Sequence, residues 1–292
     1  MYEAHYGFTE RPFSVQPDPA FLYFGPGHKM AFAMLEYGIM HRGGFTVITG
    51  EVGAGKTTLI RHLLTKISDD MKVGLITSTP RHEAELLPRI MLAFDQPFEG
   101  ISGIGLYKRF QEFLIEEYSR GGGAILIVDE AQNLGPERLE ELRMLSNINS
   151  GKDQLLQLII VGQPQLRNIL QNPDMLQFCQ RISADYHIRP LQQSETHAYI
   201  EHRLKVAGGN PRLFSTLAKQ LIFQASRGIP RVINVICDTS LVYGFAMEAR
   251  EIGTHIVQEV LTDKRQHGIS PIGEANRWPA AVTAVPKAAQ ES

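Results

Sequence analysis

One stretch limits what this chain can fold into: Gly50-Glu51-Val52-Gly53-Ala54-Gly55-Lys56-Thr57. It reads G-x-x-x-x-G-K-T, the pattern of a phosphate-binding loop. Before it runs Phe45-Thr46-Val47-Ile48-Thr49, apolar and β-rich; after it Thr58-Leu59-Ile60-Arg61-His62-Leu63-Leu64 carries apolar residues at helical spacing. Strand, glycine loop and helix together separate a site from a chance run of glycines. The glycines let backbone N–H groups close on phosphate oxygens where a Cβ would obstruct them, and the helix N-terminus adds partial positive charge. Gly50 through Thr58 are therefore the candidate nucleotide-binding residues. Lys56 is placed to reach the β- and γ-phosphates, and the Thr57 hydroxyl to ligate Mg²⁺.

Composition excludes little but is consistent with this. A chain of 292 residues has room for more than one domain. Lys+Arg number 29 against Asp+Glu 31, so no global basic excess advertises nucleic acid or an anionic membrane, although a local basic patch remains open. The 2 cysteines, Cys179 and Cys237, lie far apart in apolar, helix-like contexts without metal spacing, and read as buried free thiols of a reducing compartment. No run of about 18 apolar residues is present to span a bilayer, and Met1-Tyr2-Glu3-Ala4-His5 lacks the basic start and apolar core of a signal peptide.

Taken in order, residues 1–27 are rich in aromatics and prolines, and read as an extended segment packing on the domain that follows. Its aromatics either anchor the core or wall an adenine pocket. A helix is expected over 27–41, a strand at 73–77, and a short helix near 83–93 around Pro88. An amphipathic helix follows over 106–118 and a helix over 136–147. Ala124-Ile125-Leu126-Ile127-Val128 runs into Asp129-Glu130. An apolar run of this kind fits a parallel strand covered on both faces, and carboxylates at its C-terminal end sit where α/β sheets hold ligands. Asp129 is the candidate Mg²⁺ ligand and Glu130 the residue that orients and polarises the attacking water; a pair capping the next helix is the alternative. Leu155–Val161 reads as a second buried strand, ending at Gly162-Gln163-Pro164, so Gln163 is either a γ-phosphate or water contact or a turn residue. Helical segments reach about Ser183, and a short strand is expected at 186–189 with Arg181 before it.

Strands alternating with helices over 45–189 imply a three-layer α/β domain with a parallel sheet. From Ser194 only helical patterns follow, at 194–207, 214–226, 230–249 and 255–264, which implies a small all-helical second domain. Residues 265–292, with the only tryptophan, Trp278, read as a disordered tail. The expected layout is an N-terminal segment over 1–27 packing on the core, an α/β domain over 28–190, a helical lid over 191–264, and the tail.

With these motifs in order the chain resembles the AAA+ ATPases, and more narrowly the GspA/ExeA group of secretion-associated ATPases. The narrower likeness is carried by Tyr6-Gly7-Phe8, Arg11-Pro12-Phe13, Pro17-Asp18-Pro19, Phe21-Leu22-Tyr23, His28 and Tyr37-Gly38-Ile39. It continues through Thr49 to Thr58, Asp129-Glu130-Ala131-Gln132, Val161-Gly162-Gln163-Pro164 and Gly228-Ile229-Pro230-Arg231. Within the group the chain looks most like the secretion ATPase of exosortase (PEP-CTERM) exopolysaccharide loci. The resemblance implies that Arg231 is the second sensor, reaching the phosphates from the lid, and that Arg181 is an arginine finger offered to a neighbouring subunit's nucleotide. The plainer readings are helix-end solvation and a surface salt bridge. It further implies ATP and Mg²⁺ as ligands, a homo-oligomeric ring or filament, and envelope secretion or exopolysaccharide export components as partners. The expected location is cytoplasmic, either free or peripheral at the inner membrane. Membrane-spanning relatives carry an apolar segment and a peptidoglycan-binding domain after the lid; neither pattern appears here, which sets the expectation of a chain that does not itself reach the cell wall. The likeness extends to transposition ATPases of the TniB/TnsC kind, which bind DNA as filaments, so a DNA-binding ATPase is one rival. A nucleotide-dependent scaffold with negligible turnover is the other; an intact Glu130 argues against it.

Overall fold

The computed structural model describes residues 1–41, 43–77, 86–150 and 153–267. The strands are β1 (Phe45–Gly50), β2 (Met71–Ile76), β3 (Gly123–Val128), β4 (Asn149–Ser150), β5 (Asp153–Gln154), β6 (Leu156–Gly162) and β7 (Ile182–Ile188). The helices are α1 (Tyr2–Tyr6), α2 (Pro26–Met40), α3 (Lys56–Leu64), α4 (Leu87–Ala93), α5 (Gly103–Ser119) and α6 (Gly135–Leu145). They continue with α7 (Pro164–Leu170), α8 (Leu176–Cys179), α9 (Gln193–Val206), α10 (Thr216–Ser226), α11 (Pro230–Ala246) and α12 (Thr254–Gln266).

Five strands form one all-parallel sheet in the order β2-β3-β6-β1-β7; β4 and β5 pair antiparallel as a separate ribbon. The middle strands are buried along their whole length, which is why they are written in nearly unbroken apolar residues. Successive side chains still alternate between faces. Phe45, Val47, Leu126, Val128, Leu158 and Ile160 meet the layer of α4 to α8. Ile48, Ile125, Ile127, Ile159, Val161 and Ile188 meet α2 and α3. The result is the three-layer P-loop architecture with a parallel sheet, followed, among the described residues, by a region whose regular elements are helices.

The chain divides into two compact units. Among the described residues, one comprises those of 14–195 with 229–231 and holds the sheet; the other comprises 1–13, 196–228 and 232–267. In the helical unit, Arg203 is buried and donates from Nε to the Pro12 carbonyl and from Nη1 to the Tyr199 hydroxyl at 3.1 Å. The Tyr199 hydroxyl in turn donates to Asn234 Oδ1 at 2.8 Å. Thr9 N donates to the Ala207 carbonyl at 2.9 Å, and Phe13 meets Phe214 edge-on at 5.9 Å between ring centroids.

Three findings differ from the sequence reading. Residues 2–6 form a helix rather than extended chain, closed by Gly7 in the left-handed region at φ 72°. The aromatics of 1–27 also split. Tyr2, Phe8 and Phe13 belong with the helical unit, held by the backbone bonds at Thr9 and Pro12, whereas Phe24 packs with Phe32 and His62 in the α/β unit. Lastly, the strand expected at 186–189 starts four residues earlier, at Ile182. It is an edge strand with β1 as its one partner among the described residues, so Ser183 and Asp185 stay exposed and the apolar signal is halved. The tail beyond 267, and the start of the helix expected at 83–93, lie outside the described residues.

Candidate active site

The C-terminal ends of β1, β3 and β6 lie side by side, because β3 pairs with β6 and β6 with β1. Each carries one part of the site. From β1 the chain turns through the phosphate loop into α3. Gly53 and Gly55 take φ of 79° and 93°, a region that side chains with a Cβ enter only at a cost of about 1–2 kcal/mol. Lys56 is the first residue of α3 and is buried. Its Nζ donates to the Gly50 carbonyl at 2.8 Å and to Glu51's at 2.9 Å, so the ammonium sits inside the loop it belongs to. Burial pushes its pKa down; Glu130, Asp129 and Glu51 oppose this.

β3 delivers the acids. The Thr57 hydroxyl donates to Asp129 Oδ2 at 2.8 Å, so the two candidate Mg²⁺ ligands touch. Asp129 Oδ1 accepts from Glu130 N at 2.9 Å, which turns Glu130 into the left-handed region at φ 54°. A non-glycine residue held there stores backbone strain, a pattern that concentrates at functional sites. Glu130 Oε2 accepts from Gln163 Nε2 at 2.7 Å, and Gln163 stands at the tip of β6.

Two further elements close on the loop. Arg231, second residue of α11, donates its backbone N–H to the Gly53 carbonyl at 3.2 Å. A Cβ on Gly53 would lie 2.3 Å from that of Arg231, so the loop and the arginine fit only through this glycine. His28, in the first turn of α2, is buried with Nε2 2.9 Å from the Ala54 carbonyl. A carbonyl only accepts, so Nε2 carries the proton and Nδ1 is bare; that atom is buried without a hydrogen-bond partner. Burial lowers the His28 pKa, opposed by the Ala54 hydrogen bond and by Glu195.

The sequence-predicted residues Gly50 to Thr58, Asp129, Glu130, Gln163 and Arg231 thus come together. Arg181 does not join them. It precedes β7 at the other end of the sheet, about 20 Å away at 3.3 Å per strand residue. There it lines an open groove of about 690 Å³ with Arg143, Gln154 and Gln180, and donates to Ser146 Oγ at 3.3 Å. Sequence reasoning quoted His28 and Gln132 within motifs but gave neither a role. A lone buried histidine on a helix, and an amide two residues past an acid, carry no spacing rule of their own.

The residues present fit a nucleoside triphosphate with Mg²⁺. The loop has the glycine cradle that a Cβ would fill at Gly53, a buried cation at its centre, and a paired hydroxyl and carboxylate of the hard-oxygen kind that Mg²⁺ takes. Among the described residues no separate cluster of His, Cys, Asp and Glu could hold a metal ion, and no helix is long and apolar enough to cross a membrane.

Fold and site together are those of a P-loop nucleotide-binding domain. Comparison with known proteins agrees: residues 39–170 match the family model described as the AAA domain. The chain is similar to general secretion pathway protein A of Aeromonas hydrophila, with 39% identity over 253 residues, 86% of this chain and 46% of that protein. It therefore spans about half the length of the curated relative it matches. Among solved structures, the ORC2 protein of Aeropyrum pernix in its ADPNP-ADP complexes superposes with a TM-score of 0.64 at 17% identity. That match covers 88% of this chain and 72% of the other. Cdc6p of Pyrobaculum aerophilum gives 0.66 at 19% identity, over 84% and 70%. At such identity these two speak for the fold alone.

Proposed function

We propose that this chain hydrolyses ATP to ADP and phosphate with Mg²⁺, as an oligomer, and that hydrolysis drives or regulates assembly of an envelope secretion or exopolysaccharide export system. The observation that carries the chemistry is the contact of Glu130 with Gln163 beside the Thr57–Asp129 pair. It sets a carboxylate base and a polar strand tip next to the loop that seats the phosphates.

In this reading the loop N–H groups and Lys56 hold the β- and γ-phosphates. Thr57 and Asp129 hold Mg²⁺, directly or through water, and the ion when bound neutralises charge on the phosphate oxygens. Glu130 orients a water and takes its proton; Gln163 contacts that water or the γ-phosphate. Arg231, already against Gly53, reaches the phosphates as the second sensor. Catalysis of this kind is mostly positioning and charge stabilisation.

Assembly enters because Arg181 lies far from its own chain's loop. A finger from that end serves only a neighbouring copy's nucleotide, which makes oligomerisation part of turnover. What supports the secretion role is the similarity to a protein named for the general secretion pathway.

The test is ATP turnover measured together with particle size by light scattering, with and without double-stranded DNA, at low and moderate salt. The expected result is Mg²⁺-dependent turnover with ATP-dependent self-assembly, indifferent to DNA. Turnover that requires DNA, with filaments formed on it, would move the chain to the transposition class. Absence of turnover from assembled particles would leave only a scaffold.

A further inference from the structure

A carboxylate that acts on water must hold still, yet Glu130 hangs on three rotatable side-chain bonds at the open end of a strand. We propose that Gln132 is the positioning residue that locks Glu130 to the tip of the neighbouring strand. This rests on the reading of Glu130 as the residue that activates water.

Gln132 lies in the single turn Ala131–Asn133 that follows the acid. Its side-chain amide faces both ways. Nε2 donates to Glu130 Oε2, and Oε1 accepts from the Gln163 backbone N–H at 3.0 Å. The same Glu130 oxygen also accepts from Gln163 Nε2 at 2.7 Å. Glu130, Gln132 and Gln163 so close a ring of three hydrogen bonds across the tips of β3 and β6.

The chemistry of the ring needs a primary amide. Glutamine offers a donor and an acceptor on one rigid plane; a carboxylate offers acceptors alone and an aliphatic chain neither. With both amide donors on Oε2, no protein donor among the described residues reaches Oε1, and that oxygen keeps its lone pairs for a water proton. Gly162 preserves the space. A Cβ there would lie 3.1 Å from Gln132 Oε1 and 2.6 Å from the Leu166 side chain. The clamp also ties Gln163 to the acid, so the two groups flanking the reacting water move as one.

The test compares Gln132→Met, similar in length without the amide, and Gln132→Glu, similar in shape without the donor. Both are made in the full chain, with and without Glu130→Gln. Each is measured for kcat, KM, affinity for a non-hydrolysable ATP analogue, and thermal midpoint. A positioning role lowers kcat by about 10- to 100-fold, since small misplacements cost that much, and leaves analogue affinity and midpoint at the parent values. In the Glu130→Gln background the same changes produce no further fall, because the group they position is gone.

Full kcat in both variants would overturn the proposal. So would a fall matched by lost affinity or midpoint, or an equal fall in both backgrounds. If Glu130→Gln alone keeps its turnover, the water-activating reading fails first. If it loses turnover while the Gln132 variants keep theirs, only the clamp fails.

Discussion

At Gly53 a single methyl group has nowhere to go. Its Cβ would sit 2.3 Å from that of Arg231, and its φ of 79° already disfavours any side chain. The backbone alone costs a substituted residue about 1–2 kcal/mol, and the overlap adds to it. Gly53→Ala is therefore expected to lower the urea midpoint measurably and to weaken ATP binding, because relief of the overlap separates Arg231 from the loop. His28 supplies a pH dependence. Its unfolded value lies near 6.5, and burial sets the folded value lower. Between the two the unfolded chain holds more protons, so stability falls as pH drops through 6.5 towards the folded value. Urea midpoints between pH 7.5 and 5.5 should fall for the parent and fall less for His28→Asn; equal slopes would remove His28 as a source. His187 and His197 are shifted downward by burial as well, but each is only half-buried, so some slope is expected to survive. At this scale the loop was legible because its glycines, lysine and threonine are each demanded by phosphate chemistry. His28 and Gln132 were not, since what they do depends on the Ala54 carbonyl and the Gln163 N–H, groups that only folding brings near.

Elements were legible in proportion to how completely they are buried. β1, β3 and β6 are covered on both faces and announce themselves as apolar runs. β7, at the edge, interleaves Ser183, Asp185 and His187 with its buried residues and was read too short. The five-residue helix α1 escaped because the aromatics around it and the prolines that follow, Pro12, Pro17 and Pro19, suggested extended chain. One contact tests the packing of these elements. α2 meets β1 at Gly38, where a Cβ would lie 1.9 Å from Thr46 Oγ1. Gly38→Ala should gain about 0.5–1 kcal/mol in helix propensity and lose about 1–3 kcal/mol to overpacking. The net expectation is destabilisation, read as a lower urea midpoint, with weaker ATP binding because α2 carries His28 to the loop. A midpoint at or above the parent's would show that helix and strand separate freely.

For the whole molecule, the change from alternating strands and helices to helices alone was visible in the period of the apolar residues. The membership of the first thirteen residues was not. It rests on contacts such as Thr9 with Ala207 and Pro12 with Arg203, nearly 200 residues apart, which no local pattern encodes. Oligomeric catalysis predicts complementation. Arg181→Ala should bind ATP but turn it over at a small fraction of the parent rate, and Glu130→Gln likewise. Mixing the two should recover turnover, since an intact Glu130 can then meet an intact Arg181 from a neighbour. Mixtures no faster than the separate variants would place Arg181 outside the reaction.

The central claim is that Glu130 activates the water that attacks ATP. Its most direct test is phosphate release by Glu130→Gln beside the parent, with equilibrium ATP binding measured on the same preparations. The account predicts parental binding and a loss of turnover of about 10²- to 10⁴-fold, the range for removing a general base. Turnover at the parental rate with binding intact would contradict it.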